Sequence, residues 1–104
     1  MLSHNVFFTL QDSSEKRCQE LVAACHRFLA PHDGIVFYAA GTLTADLTRE
    51  VNDHQFHVAL NVVFKDRPAH DAYQDSPKHH EFIAANKDNW ARVRVFDSDV
   101  AGAD

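Results

Sequence analysis

The sequence predicts a single α+β domain in the order strand, helix, strand, strand, helix, strand, with the helices on one face of a four-stranded antiparallel sheet. Three observations predict it. The 104 residues suffice for one core and not for two. A helical stripe of Cys18, Leu21, Val22, Cys25, Phe28 and Leu29 sits between two β-rich runs. Residues 56–64 (FHVALNVVF) then alternate with a period of two, which marks a strand with two chemically different faces.

The first strand is residues 4–10 (HNVFFTL). Asp12-Ser13-Ser14-Glu15 predicts a capping box, Asp12 capping and Glu15 reaching back, before the helix that Pro31 and Gly34 end. Residues 35–43 (IVFYAAGTL) are the second strand, with a bulge or bend expected at Gly41. Residues 44–55 are a long polar connection. In the third strand Phe56, Val58, Leu60, Val62 and Phe64 share the apolar face, opposite His57, Ala59, Asn61 and Val63. Pro68 suits the first turn of a helix through Tyr73, Ser76-Pro77 interrupts it, and a second piece runs from His79 to about Lys87. Residues 90–97 (WARVRVFD) close the sheet. The domain thus spans residues 1–97, and the small acidic tail 98–104 is expected to be poorly ordered. This element order is the ferredoxin-like arrangement.

Helices cover only one face of such a sheet, so Ala59 and Val63, with Phe7 and Phe37, are left as an apolar patch. Pairing of two sheets in a homodimer buries that patch. The net charge of −5 and ten scattered Lys and Arg exclude a nucleic-acid footprint or a grip on an anionic membrane. No apolar run reaches the length of a membrane span. Cys18 and Cys25, seven residues apart on one helix, stand roughly 10 Å apart, beyond disulfide reach. They predict buried thiols in a reducing compartment, and with no signal segment at the start the protein is expected in the cytoplasm.

The stretch FKDRPAHDAYQDSPKHHEF, residues 64–82, follows a β-rich opening at His4 and precedes a closing strand ending in Phe96-Asp97. In that order and spacing, over roughly residues 3–97, the chain resembles the stress-responsive A/B barrel family, the dimeric α-β barrel or Dabb domain. The resemblance implies a homodimer whose facing sheets form a barrel. It also implies a pocket between helices and sheet, used in cyclase members for aldol-type ring closure in polyketides. By the same resemblance Tyr73 and His79 match the catalytic tyrosine and histidine, and His4 a first-strand pocket histidine. The chain departs from the family where Ser76-Pro77-Lys78-His79 replaces His-Pro-x-His, and where Val58 falls at a third-strand histidine. His57, one residue earlier, is expected on the opposite face, between subunits.

On their own chemistry, histidine suits a base near neutral pH and tyrosine a donor to a carbonyl oxygen. His79 shares its helical stripe with Phe82, Ile83, Asn86 and Trp90, while His80 turns to solvent. The competing reading makes Tyr73 and His79 ordinary core residues. Asp97 and Asp99 read as a solvated strand end, and Cys18 and Cys25 as core. Neither His79-His80 nor Asp53, His54 and His57 make a convincing metal set, so no metal or cofactor is expected. The function expected is a homodimer binding a small apolar or aromatic molecule through Tyr73 and His79, with His4, Val58 and Phe82 lining the pocket. The alternatives are a polyketide-cyclase-like lyase and a non-catalytic, stress-associated dimer. Antibiotic-biosynthesis monooxygenases and haem-degrading proteins share the expected architecture and form a more distant alternative.

Overall fold

In a computed structural model, which describes residues 1–103, the sheet is built outward from its first strand. β1 (Leu2–Leu10) lies between β3 (Val58–Phe64) and β4 (Trp90–Asp99), and β2 (Ile35–Thr42) adds to β3, giving the order β2-β3-β1-β4. Every pairing is antiparallel. The helices are α1 (Glu15–Phe28), α2 (Arg67–Asp75) and α3 (Pro77–Asn86), and a 3-10 turn at Lys87–Asn89 leads into β4. This is the ferredoxin-like α+β arrangement that the sequence predicts, with its second helix in two pieces. Among the described residues no helix is long and apolar enough to cross a membrane.

β1 alternates without a break, Leu2, His4, Val6, Phe8 and Leu10 buried and the residues between them half-buried. The buried set meets Val58, Leu60, Val62 and Phe64 of β3 and the stripe Cys18, Leu21, Val22 and Cys25 of α1. Both cysteines are free and buried, and burial pushes the Cys25 thiol up to about 12.

Four local expectations are corrected. The α1 cap is Ser14, whose Oγ accepts from the Arg17 N–H at 3.3 Å, while Asp12 Oδ1 accepts from the Ser14 N–H at 3.0 Å. Asp12 therefore shapes the turn before the helix and does not cap it. The bulge in β2 lies at Val36, since Ile35 pairs with Phe64 and Phe37 with Val63, whereas Gly41 pairs in register with Ala59. The extra residue puts Ile35 on the core face and Phe37 on the outer one. β3 begins at Val58, so Phe56 escapes its alternation and packs on the outer face, 4.9 Å between ring centroids from Phe7. β4 runs past Asp97 through Ser98 and Asp99, and the Val100 N–H donates to Met1 O at 2.9 Å. Of the tail 98–104, Asp104 lies outside the described residues.

The outer face carries the predicted apolar patch and more. Phe37 is 56 % exposed and Phe96, aligned with Asn5, 53 %. Phe7 packs between Phe56 and Phe96, its ring centroid 5.7 Å from that of Phe96. The long connection folds back here, Asp53 accepting from Arg94 at 3.0 Å. Ala59 and Val63 remain half-buried beside them.

Candidate functional site

On the helix-facing side, the β1–β4 register sets His4 opposite Asp97, Val6 opposite Val95 and Phe8 opposite Val93. The helices do not close over this edge, leaving Val93 39 % and Val95 49 % exposed. Between them and the helices lies a cavity of about 120 Å³, whose other walls include His4, Tyr73, Gln74, His79, Phe82 and Trp90.

Ser76 positions the two central residues. Its N–H and Oγ both donate to Tyr73 O, at 3.2 and 2.9 Å, which ends α2. The same Oγ accepts from the His79 N–H at 3.1 Å and so starts α3, where Pro77 has no N–H to lose. This hinge brings the Tyr73 and His79 rings edge to face at 4.9 Å. His32, whose Nε2 lies 2.8 Å from Ser76 Oγ, packs on Tyr73 at 4.9 Å between centroids.

Tyr73, His79 and Trp90 of the cavity wall each hold a buried polar atom, Oη, Nδ1 and Nε1 respectively, that meets no hydrogen-bonding partner among the described residues. Buried polar groups are nearly always paired, and an unpaired one costs about 1–3 kcal/mol. Three such atoms on residues that share one cavity are a concentrated unmet hydrogen-bonding capacity. Burial, and then the positive charge of His4, His80, His32 and His70, holds the His79 imidazole down to about 4. Burial raises the Tyr73 phenol well above its usual value. At neutral pH the site therefore presents an uncharged imidazole, a phenol O–H and an indole N–H. These suit a ligand with an apolar body and at least one oxygen, and they disfavour a charged one.

His4 stands at one end of the cavity, its Nδ1–H donating to Asp97 Oδ1 at 2.5 Å and its Nε2 lying 3.3 Å from the Gln74 amide nitrogen. Burial lowers its pKa against the opposing pull of Asp97. The structure thus brings Tyr73, His79, His4 and Phe82 to one cavity. Val58 is fully buried on the same side of the sheet but is not part of the cavity wall. His57 sits before β3, not across its outer face, and its Nδ1 accepts from the Leu10 N–H at 3.0 Å. That bond closes the end of β1 where the strand pairing runs out. His54 and Asp53 also have partners, the Leu47 carbonyl and Arg94.

Asp97, Gln74 and Trp90 join the site beyond the residues that the sequence singles out. Asp97 is a correction: it pairs with a buried histidine and is not merely a solvated strand end. Its role depends on β4 pairing with β1, which places positions 4 and 97 side by side. Trp90 packs against Phe8 and Phe82, at 5.0 and 5.7 Å between centroids, and its buried N–H has no partner among the described residues.

No curated protein matches the sequence significantly. Solved structures do match in fold. A Dabb family protein with a ferredoxin-like fold from Mesorhizobium loti is 18% identical, with a TM-score of 0.78 and 97% of each chain covered. A dimeric ferredoxin-like protein from Thermobifida fusca is 17% identical at a TM-score of 0.78, covering 95% of this chain and 90% of that one. The hydroxynitrile lyase of Passiflora edulis is 20% identical at a TM-score of 0.71, covering 98% of this chain and 94% of the lyase. The model of the stress responsive A/B barrel domain matches residues 2–100, nearly the whole chain, so this protein belongs to the stress responsive A/B barrel (Dabb) family.

Proposed function

We propose that this chain is a homodimeric binding protein for a small, mainly apolar or aromatic molecule bearing a carbonyl or hydroxyl oxygen. The observation that carries this reading is the set of three unpartnered polar atoms on residues that wall one largely apolar cavity. At about 120 Å³ the cavity is near the size that accepts one benzene-like ring. The Tyr73 O–H and Trp90 N–H are suited to a ligand oxygen, His79 Nδ1 to a ligand hydroxyl, and Phe82 and Ile83 to its apolar body. The dimeric state of fold relatives and the exposed Phe37 and Phe96 support sheet-to-sheet pairing. The two buried free thiols fit a reducing, cytoplasmic setting.

A second reading, a polyketide-cyclase-like lyase, is favoured by the direct contact of Tyr73 with His79. Tyr73 would donate to a substrate carbonyl and His79 would take a proton from the adjacent carbon. The presence of a hydroxynitrile lyase on the same fold is compatible with such chemistry. A base is most effective when its pKa lies near the working pH, and His79, at about 4, is a weak one. Binding is therefore the stronger reading.

Calorimetric titration with a panel of phenolic and polyketide-like single-ring compounds tests both. Saturable binding that His79→Ala weakens about tenfold, and His80→Ala does not, is the expected result. If no compound binds the wild-type chain, the binding reading fails and the non-catalytic, stress-associated dimer stands. Release of a cyclised or cleaved product, lost in Tyr73→Phe, establishes the lyase.

A further inference from the structure

Outside the Tyr73–His79 pair, three donor side chains converge at the β1–β4 edge. His4, His70 and Asp97 each offer one ligand atom, and these atoms lie within 4.8 Å of one another. The strand register holds His4 opposite Asp97, and α2 brings the His70 ring to 5.1 Å from that of His4, centroid to centroid. We propose that these three residues bind a divalent transition cation of the zinc type through one nitrogen from each imidazole and one carboxylate oxygen.

The surroundings prepare both histidines. The His70 Nδ1–H donates to Asp71 Oδ1 at 2.9 Å, and Arg67 Nε–H donates to the same oxygen at 2.8 Å. This bond orients the ring and leaves the Nε2 lone pair to a cation, as carboxylate–histidine pairs do around metals. At His4 the cation takes the place of the hydrogen that Nδ1 shares with Asp97. The His4 proton moves to Nε2, where the Gln74 amide, turned to present its oxygen, accepts it. The imidazole stays neutral and only changes tautomer.

Charge and softness agree with the choice of ion. Asp71, Asp97 and Asp99 all act on the Arg67 guanidinium, which places three carboxylates around it beside the cluster. Two imidazoles with one carboxylate suit zinc, whereas calcium and magnesium call for more oxygen donors. Tetrahedral zinc needs ligand atoms about 3.3 Å apart. The His4–Asp97 pair, at 2.5 Å, must therefore open while the wider separations, within 4.8 Å, close, and Asp97, whose side chain is 46 % exposed, is free to move. Solvent completes the coordination, which leaves an open position beside the ligand cavity.

The test is calorimetric titration of Zn²⁺ into the untagged, chelator-stripped full chain at pH 7, with Co²⁺ absorption as a second readout. One zinc per chain is expected, with a thermal midpoint that rises on loading. His70→Ala and Asp97→Asn should each weaken binding at least tenfold and reduce the Co²⁺ bands, while His54→Ala and His80→Ala leave both unchanged. Absence of saturable zinc binding overturns the proposal, and so does His70→Ala binding zinc like the wild type. Neither result touches the ligand reading, which is measured with organic compounds in the absence of metal.

Discussion

Tyr73 and His79 meet edge to face at 4.9 Å across the break between α2 and α3, and each walls the same cavity with a buried polar atom unpartnered among the described residues. Neither atom has a protein hydrogen bond to lose, so conservative removal should be mild for folding and severe for binding. Tyr73→Phe should keep or raise stability, by up to about 1 kcal/mol, because it deletes an unsatisfied hydroxyl. Tyr73→Ala, which empties a core site, should cost about 3–5 kcal/mol. Denaturant midpoints for the two variants check this, and a large loss in Tyr73→Phe would mean that the hydroxyl has a structural partner.

Acid should destabilise the fold through His79. Its pKa is about 4 in the folded chain against the usual 6.5, so the unfolded state takes up the proton first as pH falls. The stabilisation is complete above about pH 6.5 and declines down to about pH 4. His4, His32, His70 and His80 repel the incoming proton, and the lowered pKa of His4 adds a loss of the same sign. Urea midpoints between pH 7 and pH 4 should fall more steeply for wild type than for His79→Gln. Equal slopes would remove His79 from the acid response.

The outer sheet face should be the dimer contact. Sedimentation at micromolar concentration should give twice the chain mass for wild type, and Ala59→Arg should shift it toward monomer. Each copy of the variant would bury an unpaired guanidinium in an interface where the same patch meets itself. A wild-type monomer, or an unaffected variant dimer, contradicts this assignment.

Gly34 should resist substitution. Its φ of +85° lies in the left-handed region, and a Cβ there would stand 2.5 Å from Ala69 Cβ. The site closes the turn into β2, with the Lys65 N–H donating to Gly34 O at 2.8 Å. Gly34→Ala should cost about 1–3 kcal/mol from backbone strain and the clash with α2. A thermal melt checks it, and Gly41→Ala, with nothing within 4 Å of the new methyl, is the mild counterpart.

Much of this was written locally in the chain. The alternation of β1, the α1 stripe through Cys18 and Cys25, and the Ser76-Pro77 interruption each follow from a period or a single residue's chemistry. The same local rules fail where a partner decides. Phe56 continues the period of β3 on paper, yet the strand starts at Val58 and Phe56 settles against Phe7. Ser14 and not Asp12 caps α1, since Asp12 is engaged one step earlier by the Ser14 N–H.

The sequence by itself determined the fold class, most of the inward-facing residues and the proline break that separates Tyr73 from His79. These depend on spacing along one element, or on the reach of a few residues. Tertiary structure alone decided that Asp97 meets His4, that His70 joins them, and that Trp90 walls the cavity with its buried N–H unpartnered among the described residues. Asp97 is far from His4 in sequence, and only the antiparallel β1–β4 register makes them neighbours. Such contacts are fixed by long-range strand pairing and by how closely helices pack on a sheet edge, neither of which leaves a periodic mark on the chain.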